Sequence, residues 1–209
     1  MERQLLEMTQ EEQEKAWVVS ALAGDRAAFA ALVDAYKNPV YNLCYRMLGT
    51  SGEAEDASQE VFVKLYQRLN TYDRERKLAS WVLSIASHHC IDRLRRRRLK
   101  TVDIEELPSW EPLISDRPQP ERQLLEAERV DRIQQLLERL EPNYRLPLIM
   151  HYWNDYSYQE ICEATGLSLS AVKSRLHRAR LKLAEVMREE APDLIPLVAA
   201  SLEKESVGA

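Results

Sequence analysis

The hydrophobic positions along the chain recur at the spacing of amphipathic helices, and no segment alternates like a strand. The first predicted helix runs from about Glu12 to Ala23 and ends at Gly24, where we expect a left-handed cap. Asp25 can cap a longer second helix, which should stop at Gly49. The pattern therefore predicts an all-α fold.

The next two predicted helices complete the N-terminal part of the chain. Pro39 lies inside the second helix, so we expect a kink or a break there. A third helix opens at Ser51 with one apolar face, and a fourth begins at about Ser80. Trp81, at the start of the fourth helix, has the spacing of a core residue more than that of an exposed base-stacking one. This helix runs out into the stretch CIDRLRRRRLK.

The composition changes in the middle of the chain. Residues 101–121 contain four prolines and many acidic residues without a helical stripe, which is typical of a linker. We therefore predict two small helical domains, 12–100 and 122–190, joined by this acidic, proline-containing linker. An N-terminal extension, 1–11, and a C-terminal tail, 191–209, lie outside them.

Basic residues are concentrated in two places, although the formal net charge of the chain is −5. Residues 88–100 carry six Arg or Lys against one Asp, and residues 171–188 carry six against one Glu, so each segment sums to +5. The remainder of the chain then sums to −15. Two basic islands in an acidic protein favour a polyanionic partner over a solvated helix end.

Several classes of protein are disfavoured by the residues present. No apolar run approaches the ~20 residues that cross a bilayer, and the polar N-terminus is unlike a signal peptide, so we expect a cytoplasmic protein without membrane insertion. The three cysteines are unpatterned and predict reduced thiols. The run His88, His89, Cys90 cannot readily chelate one metal ion, because neighbours on a helix point about 100° apart. We expect no metal, no cofactor and no enzymatic activity.

The second basic island follows a pattern of short helix, turn and long helix. Ser157 and Glu160 match a capping box, and Gly166 ends the short helix about two turns later. Ser168 or Ser170 caps the long helix. This arrangement predicts a helix-turn-helix, whose second helix enters the major groove of DNA. An amphipathic surface helix rich in arginine is the alternative.

The outward face of that second helix carries the side chains that can bond base edges or phosphates. They are Ser170, Lys173, Ser174, Arg175, His177 and Arg178.

Three segments together resemble the extracytoplasmic-function (group 4) class of the bacterial sigma-70 family. They are AEDASQEVF, SWVLSIASHHCIDRLRRR and SYQEICEATGLSLSAVKSRLHRAR, and the resemblance covers about residues 16–98 and 128–188. It implies a sigma factor that binds RNA polymerase core and directs it to the −35 and −10 elements of promoter DNA. An anti-sigma factor commonly controls such proteins. The resemblance also implies that the helix-turn-helix reads the −35 element, with Arg175 as a phosphate clamp.

The resemblance assigns roles to the N-terminal domain as well. It implies a −10 surface composed of Tyr72, Arg74, Lys77, His88, Arg93, Arg95, Arg96 and Arg97. It implies a polymerase-binding face composed of Asp56, Gln59 and Glu60. Ser87-His88 stands where many members have Arg-Asn, which puts the −10 preference in question. The alternative function is a helix-turn-helix transcriptional regulator that does not act as a sigma subunit.

Overall fold

The computed structural model describes residues 9–102 and 121–195, and in these ranges the regular structure is entirely helical. The predicted all-α class is thereby confirmed. The predicted extension, linker and tail lie mostly outside the described residues, so the domain boundaries stay a prediction. The helices are α1 (Gln10–Leu22), α2 (Arg26–Leu48), α3 (Ser51–Arg68), α4 (Leu78–Val102), α5 (Glu121–Glu138), α6 (Pro142–Trp153), α7 (Tyr158–Thr165) and α8 (Leu169–Glu190).

Local capping determines where the first two helices begin and end. Thr9 and Glu12 form a reciprocal capping box, so α1 starts slightly earlier than the sequence pattern predicted. The Asp25 carboxylate accepts a backbone hydrogen bond at 2.8 Å and caps α2 as predicted. Gly24 and Gly49 have φ angles of 92° and 102°, which only glycine adopts without strain.

The predicted break at Pro39 does not occur, because α2 runs through this residue to Leu48. Proline removes one backbone hydrogen bond from a helix. On the C-terminal side of Pro39, however, Val40, Leu43 and Met47 are completely buried. These side chains anchor the second half of the helix in the core.

The helices α2, α3 and α4 pack on one another to form the N-terminal half of the core. Val61 of α3 and Leu83 of α4 are almost completely buried in it. Trp81 packs half-buried against this core, as predicted, and its ring centroid lies 5.2 Å from that of Tyr72.

The C-terminal half consists of α5 to α8, with α6 and α7 both packed against α8. Helix α6 begins at Pro142, so Pro147 lies beyond its first turn. The helix continues there because Leu148 and Ile149 are completely buried.

The two halves contact each other through α4 and α7 and through α2 and α6. The buried Arg145 side chain donates hydrogen bonds to the carbonyl oxygens of Met47 at 2.7 Å, Glu138 at 2.7 Å and Leu140 at 3.0 Å. Burial lowers the pKa of the Arg145 guanidinium, but three carbonyl acceptors compensate for the lost water. Arg145 thus joins the end of α2 to the C-terminal half.

Candidate nucleic-acid interface

The helices α7 and α8 form the predicted helix-turn-helix, and its local details follow from four residues. Ser157 and Glu160 make the capping box that starts α7. Gly166, with φ of 70°, ends α7 in the left-handed conformation. Ser168, rather than Ser170, caps α8 by accepting a hydrogen bond from the Ala171 amide. These caps set where α7 begins and ends and where α8 begins.

The buried side of α8 fixes which face is exposed. Val172, Leu176 and Ala179 lie in the core at one-turn intervals. All but one of the predicted −35 residues are exposed, and Arg175 is half-buried beside them. Within residues 9–102 and 121–195, no hydrogen bond or ion pair engages the side chains of Lys173 and Arg178. Their charges are available for a ligand.

The loop before α4 holds three of the predicted −10 residues in different environments. Arg74 and Lys77 are exposed, whereas the Tyr72 side chain is buried and its hydroxyl donates to the Arg76 carbonyl oxygen at 2.5 Å. Lys77 pairs with Glu160 of α7 at 2.8 Å. The structure therefore brings this loop next to the helix-turn-helix. It presents the two basic side chains and holds the tyrosine ring inward.

The arginines of α4 become more exposed towards the C-terminal end of the helix. Arg93 is half-buried and pairs with Glu60 at 3.5 Å, and Arg97 pairs with Glu53 at 3.5 Å. Arg95, Arg96 and Arg98 are exposed. His88, more than one helical turn before Arg93, is also exposed, and its Nδ1 atom lies 2.7 Å from the Ser84 carbonyl oxygen. The run thus pairs with α3 on one side only.

The predicted polymerase-binding residues lie on the exposed face of α3. Asp56, Gln59 and Glu60 are all exposed. Glu60 is the one of the three that faces α4, where its carboxylate lies 3.5 Å from the buried His89 imidazole. The acidic face is therefore presented to solvent and bordered by the basic helix α4.

The sequence analysis missed a polar cluster between α3 and α4. Lys64 contacts His89 across the two helices, next to the Glu60 contact. Burial, followed by the charge of Lys64, lowers the pKa of His89, so its imidazole is neutral at neutral pH. The sequence contains an indication of this cluster, because Glu60 and Lys64 are four residues apart and so share a helix face, as do His89 and Arg93. It becomes visible only once the two helices are known to be antiparallel neighbours.

The described residues lack two other features, a metal site and a membrane-spanning helix. Among them no group of His, Cys, Asp or Glu side chains could hold a metal ion. No helix within the same ranges is both long enough and apolar enough to cross a bilayer.

The described residues form helices only, with a helix-turn-helix and two exposed basic segments, which is typical of a DNA-binding protein. Family models match both parts: "Sigma-70 region 2" matches residues 32–100, and "Sigma-70, region 4" matches residues 130–183. The chain is 35% identical over 172 residues to the ECF RNA polymerase sigma factor SigW of Bacillus subtilis, covering 79% of this chain and 92% of that protein. It is 28% identical over 179 residues to the RNA polymerase sigma-H factor of Pseudomonas aeruginosa, covering 83% and 93%. The chain belongs to the extracytoplasmic-function group of the sigma-70 family, which confirms the predicted resemblance.

Solved structures share this fold. CnrH, in complex with the cytosolic domain of CnrY, superposes with a TM-score of 0.63 at 21% identity, covering 86% of this chain and 99% of CnrH. The sigma factor RpoE of Bartonella quintana, in complex with the anti-sigma factor NepR, gives a TM-score of 0.61 at 17% identity, covering 78% and 98%. At these identities the likeness concerns the fold.

Proposed function

We propose that the chain binds bacterial RNA polymerase core and directs it to promoters through −35 and −10 recognition, and that it has no catalytic activity of its own. The observation that carries the proposal is the exposed basic face of α8 on a fully capped helix-turn-helix. Because its partners are polymerase and chromosomal DNA, we place the protein in the cytoplasm.

The −35 element is read by the N-terminal half of α8. This half enters the major groove in helix-turn-helix proteins, where Lys and Arg bond guanine edges. Lys173 and Arg178 suit that role because both are exposed and lack a partner among the described residues. Ser170, Ser174 and His177 lie on the same exposed face. The half-buried Arg175, at its edge, contacts a phosphate.

The −10 element is bound by the loop before α4 and by α4 itself. Arg74 and His88 are exposed, and the arginines from 93 to 97 extend a positive surface along the helix. Such a surface tracks a phosphate backbone. Lys77 must exchange Glu160 for DNA, and Tyr72 must rotate outward before its ring can stack on a base.

RNA polymerase core is bound by the acidic face of α3, where Asp56, Gln59 and Glu60 are exposed to solvent. A face of this charge fits a partner surface with basic residues. We propose further that an anti-sigma factor controls the protein. Two structures of the same fold support this proposal, since CnrH was solved with the cytosolic domain of CnrY and the sigma factor RpoE with the anti-sigma factor NepR.

Run-off transcription tests the proposed function. Core polymerase is assayed with and without the chain on genomic promoter fragments, and specific transcripts should appear only with the chain. The double variant K173A/R178A should lose promoter choice at −35, whereas Lys37→Ala, which removes an exposed lysine of α2, should not. Promoter binding without any stimulated transcript would favour the alternative, a regulator that is not a sigma subunit. The absence of both promoter binding and transcription would refute both functions.

A further inference from the structure

Two of the three cysteines meet inside the N-terminal half of the fold. Cys44 of α2 and Cys90 of α4 are free thiols and both are completely buried. The Cys90 Sγ atom lies 3.7 Å from the Cys44 Sγ atom and is positioned to donate its hydrogen to it. A disulfide needs an S–S distance of about 2.05 Å, so the two sulfur atoms must approach by about 1.7 Å. Side-chain rotation supplies most of such a movement.

The surroundings of the pair differ from those of an apolar core. Ser58 of α3 and the positive charge of Arg93, one turn beyond Cys90, both act on the Cys44 sulfur. The Arg93 side chain is itself 28% exposed. The charge of this partly exposed side chain thus reaches the buried pair.

We propose that Cys44 and Cys90 form a reversible disulfide when the protein meets hydrogen peroxide. This modification is independent of the proposed promoter recognition. Disulfides in cytosolic proteins are typically transient and redox-sensing, which is the behaviour assigned to this pair.

The two thiols have different roles in the reaction. The hydrogen bond from Cys90, with help from Ser58 and Arg93, lowers the pKa of Cys44 despite its burial. The hydrogen bond to Cys44, together with burial, raises the pKa of Cys90. Because the thiolate is the nucleophile, Cys44 reacts first and Cys90 second.

The chemistry balances with peroxide as the oxidant. The Cys44 thiolate attacks one peroxide oxygen, the O–O bond breaks, and hydroxide leaves with a proton as water. Cys44 is then a sulfenic acid. Cys90 loses its proton and attacks the Cys44 sulfur, the S–O bond breaks, and the second hydroxide takes that proton as water. Two thiols are oxidised, and one peroxide is reduced to two water molecules.

Peptide mapping of the full-length chain tests the proposal. The reduced protein is titrated with hydrogen peroxide under native conditions, and the reaction is quenched. The protein is then denatured, alkylated and digested, and the masses of its peptides are measured by mass spectrometry. We expect a linked peptide pair containing Cys44 and Cys90, lighter than the sum of the reduced peptides by two hydrogen atoms. The half-exposed Cys162 is the internal reference for general oxidation. Recovery of both buried cysteines as alkylated thiols, at doses that oxidise Cys162, would overturn the proposal.

Single variants test the order of the two steps. Cys90→Ser should stop the reaction at a sulfenic acid on Cys44, which dimedone traps, whereas Cys44→Ser should give no adduct on Cys90. The matched variant Cys162→Ser should still form the linked pair. Thermal unfolding gives a second readout, because a cross-link that closes a long loop raises the melting temperature by several degrees. An oxidised wild-type chain that melts no higher than the reduced chain would contradict a cross-link in the native fold.

Discussion

Lys77 and Glu160 form an ion pair at 2.8 Å, although 83 residues separate them in the chain. Lys77 lies in the loop that precedes α4, and Glu160 belongs to the capping box that starts α7. The pair therefore connects a residue proposed to meet the −10 element with the first helix of the −35 module. Through this ion pair, the proposed −10 surface and the proposed −35 module interact electrostatically.

The pair predicts a pH dependence. Burial opposes ionisation of Glu160, but hydrogen bonds from Lys77 and Ser157 outweigh it and lower its pKa below the ordinary 4.5. A lowered folded-state pKa contributes stability that is complete above the ordinary value and is lost as the pH falls through the folded-state value. Glu160→Gln retains a capping side chain but cannot titrate. The stability difference between the wild type and this variant should therefore be largest above the ordinary pKa of 4.5 and shrink as the pH falls below it, in thermal or denaturant unfolding. A constant difference would contradict this assignment.

Arg145 should be the most sensitive polar residue at the contact between the halves. Arg145→Met keeps the length of the side chain and leaves three buried carbonyl oxygens without their donor. We expect the free energy of unfolding to fall by about 2–4 kcal/mol. The exposed Arg139, which pairs with Glu190, is the matched control, and Arg139→Met should cost less than about 1 kcal/mol. Equal losses in urea unfolding would show that Arg145 is not buried in solution.

Gly49 offers a test of how the two halves pack. Its φ of 102° disfavours any side chain, and a Cβ atom there would collide with the carboxylate of Glu138. Gly49→Ala should destabilise the chain by at least about 1 kcal/mol. Gly52 has open space around it, so Gly52→Ala should be neutral or stabilising by about 0.5 kcal/mol.

A double-mutant cycle separates the two causes at this glycine. Glu138→Ala should recover part of the Gly49→Ala loss by removing the collision, while the backbone strain remains. If the two substitutions are additive, the Glu138 carboxylate moves away from the new methyl group at no measurable cost, and the whole loss at position 49 is backbone strain.

Two neighbours on α8 should affect promoter binding differently. Arg175→Ala removes a proposed phosphate contact, so holoenzyme binding should weaken on every promoter and the salt slope should fall by about one. Lys173→Ala removes a proposed base contact, so discrimination at one −35 position should fall by about 1–3 kcal/mol. Binding titrations at several salt concentrations, on promoters with single −35 substitutions, measure both effects. The same response from both variants would contradict the division of roles.

The features that sequence analysis predicted correctly depend on residues close together in the chain. The capping box of Ser157 and Glu160 and the left-handed Gly166 are decided within ten residues, and both are present. The all-α class follows from helical periodicity, and the family was indicated by the resemblance of three continuous segments of 9, 18 and 24 residues. These features carry their physical cause in the local sequence.

The features that were missed depend on contacts between distant segments. Arg145 stands in an apolar helix, but its acceptor on Met47 is 98 residues away. Periodicity could not reveal that Tyr72 turns inward onto Trp81, because a loop residue has no periodic face. Pro39 was expected to interrupt α2 because the strength of the packing beyond it was unknown. The roles of the individual DNA-contacting residues stay predictions.

The acceptors of Arg145 have a consequence for how the protein can evolve. All three are main-chain oxygens, so a change of side chain at position 47, 138 or 140 leaves the acceptor atoms in place. Only the donor, the guanidinium of Arg145, depends on the identity of a side chain. The hydrogen bonds of this junction therefore require an arginine at position 145, whereas at positions 47, 138 and 140 packing, not hydrogen bonding, constrains the side chain.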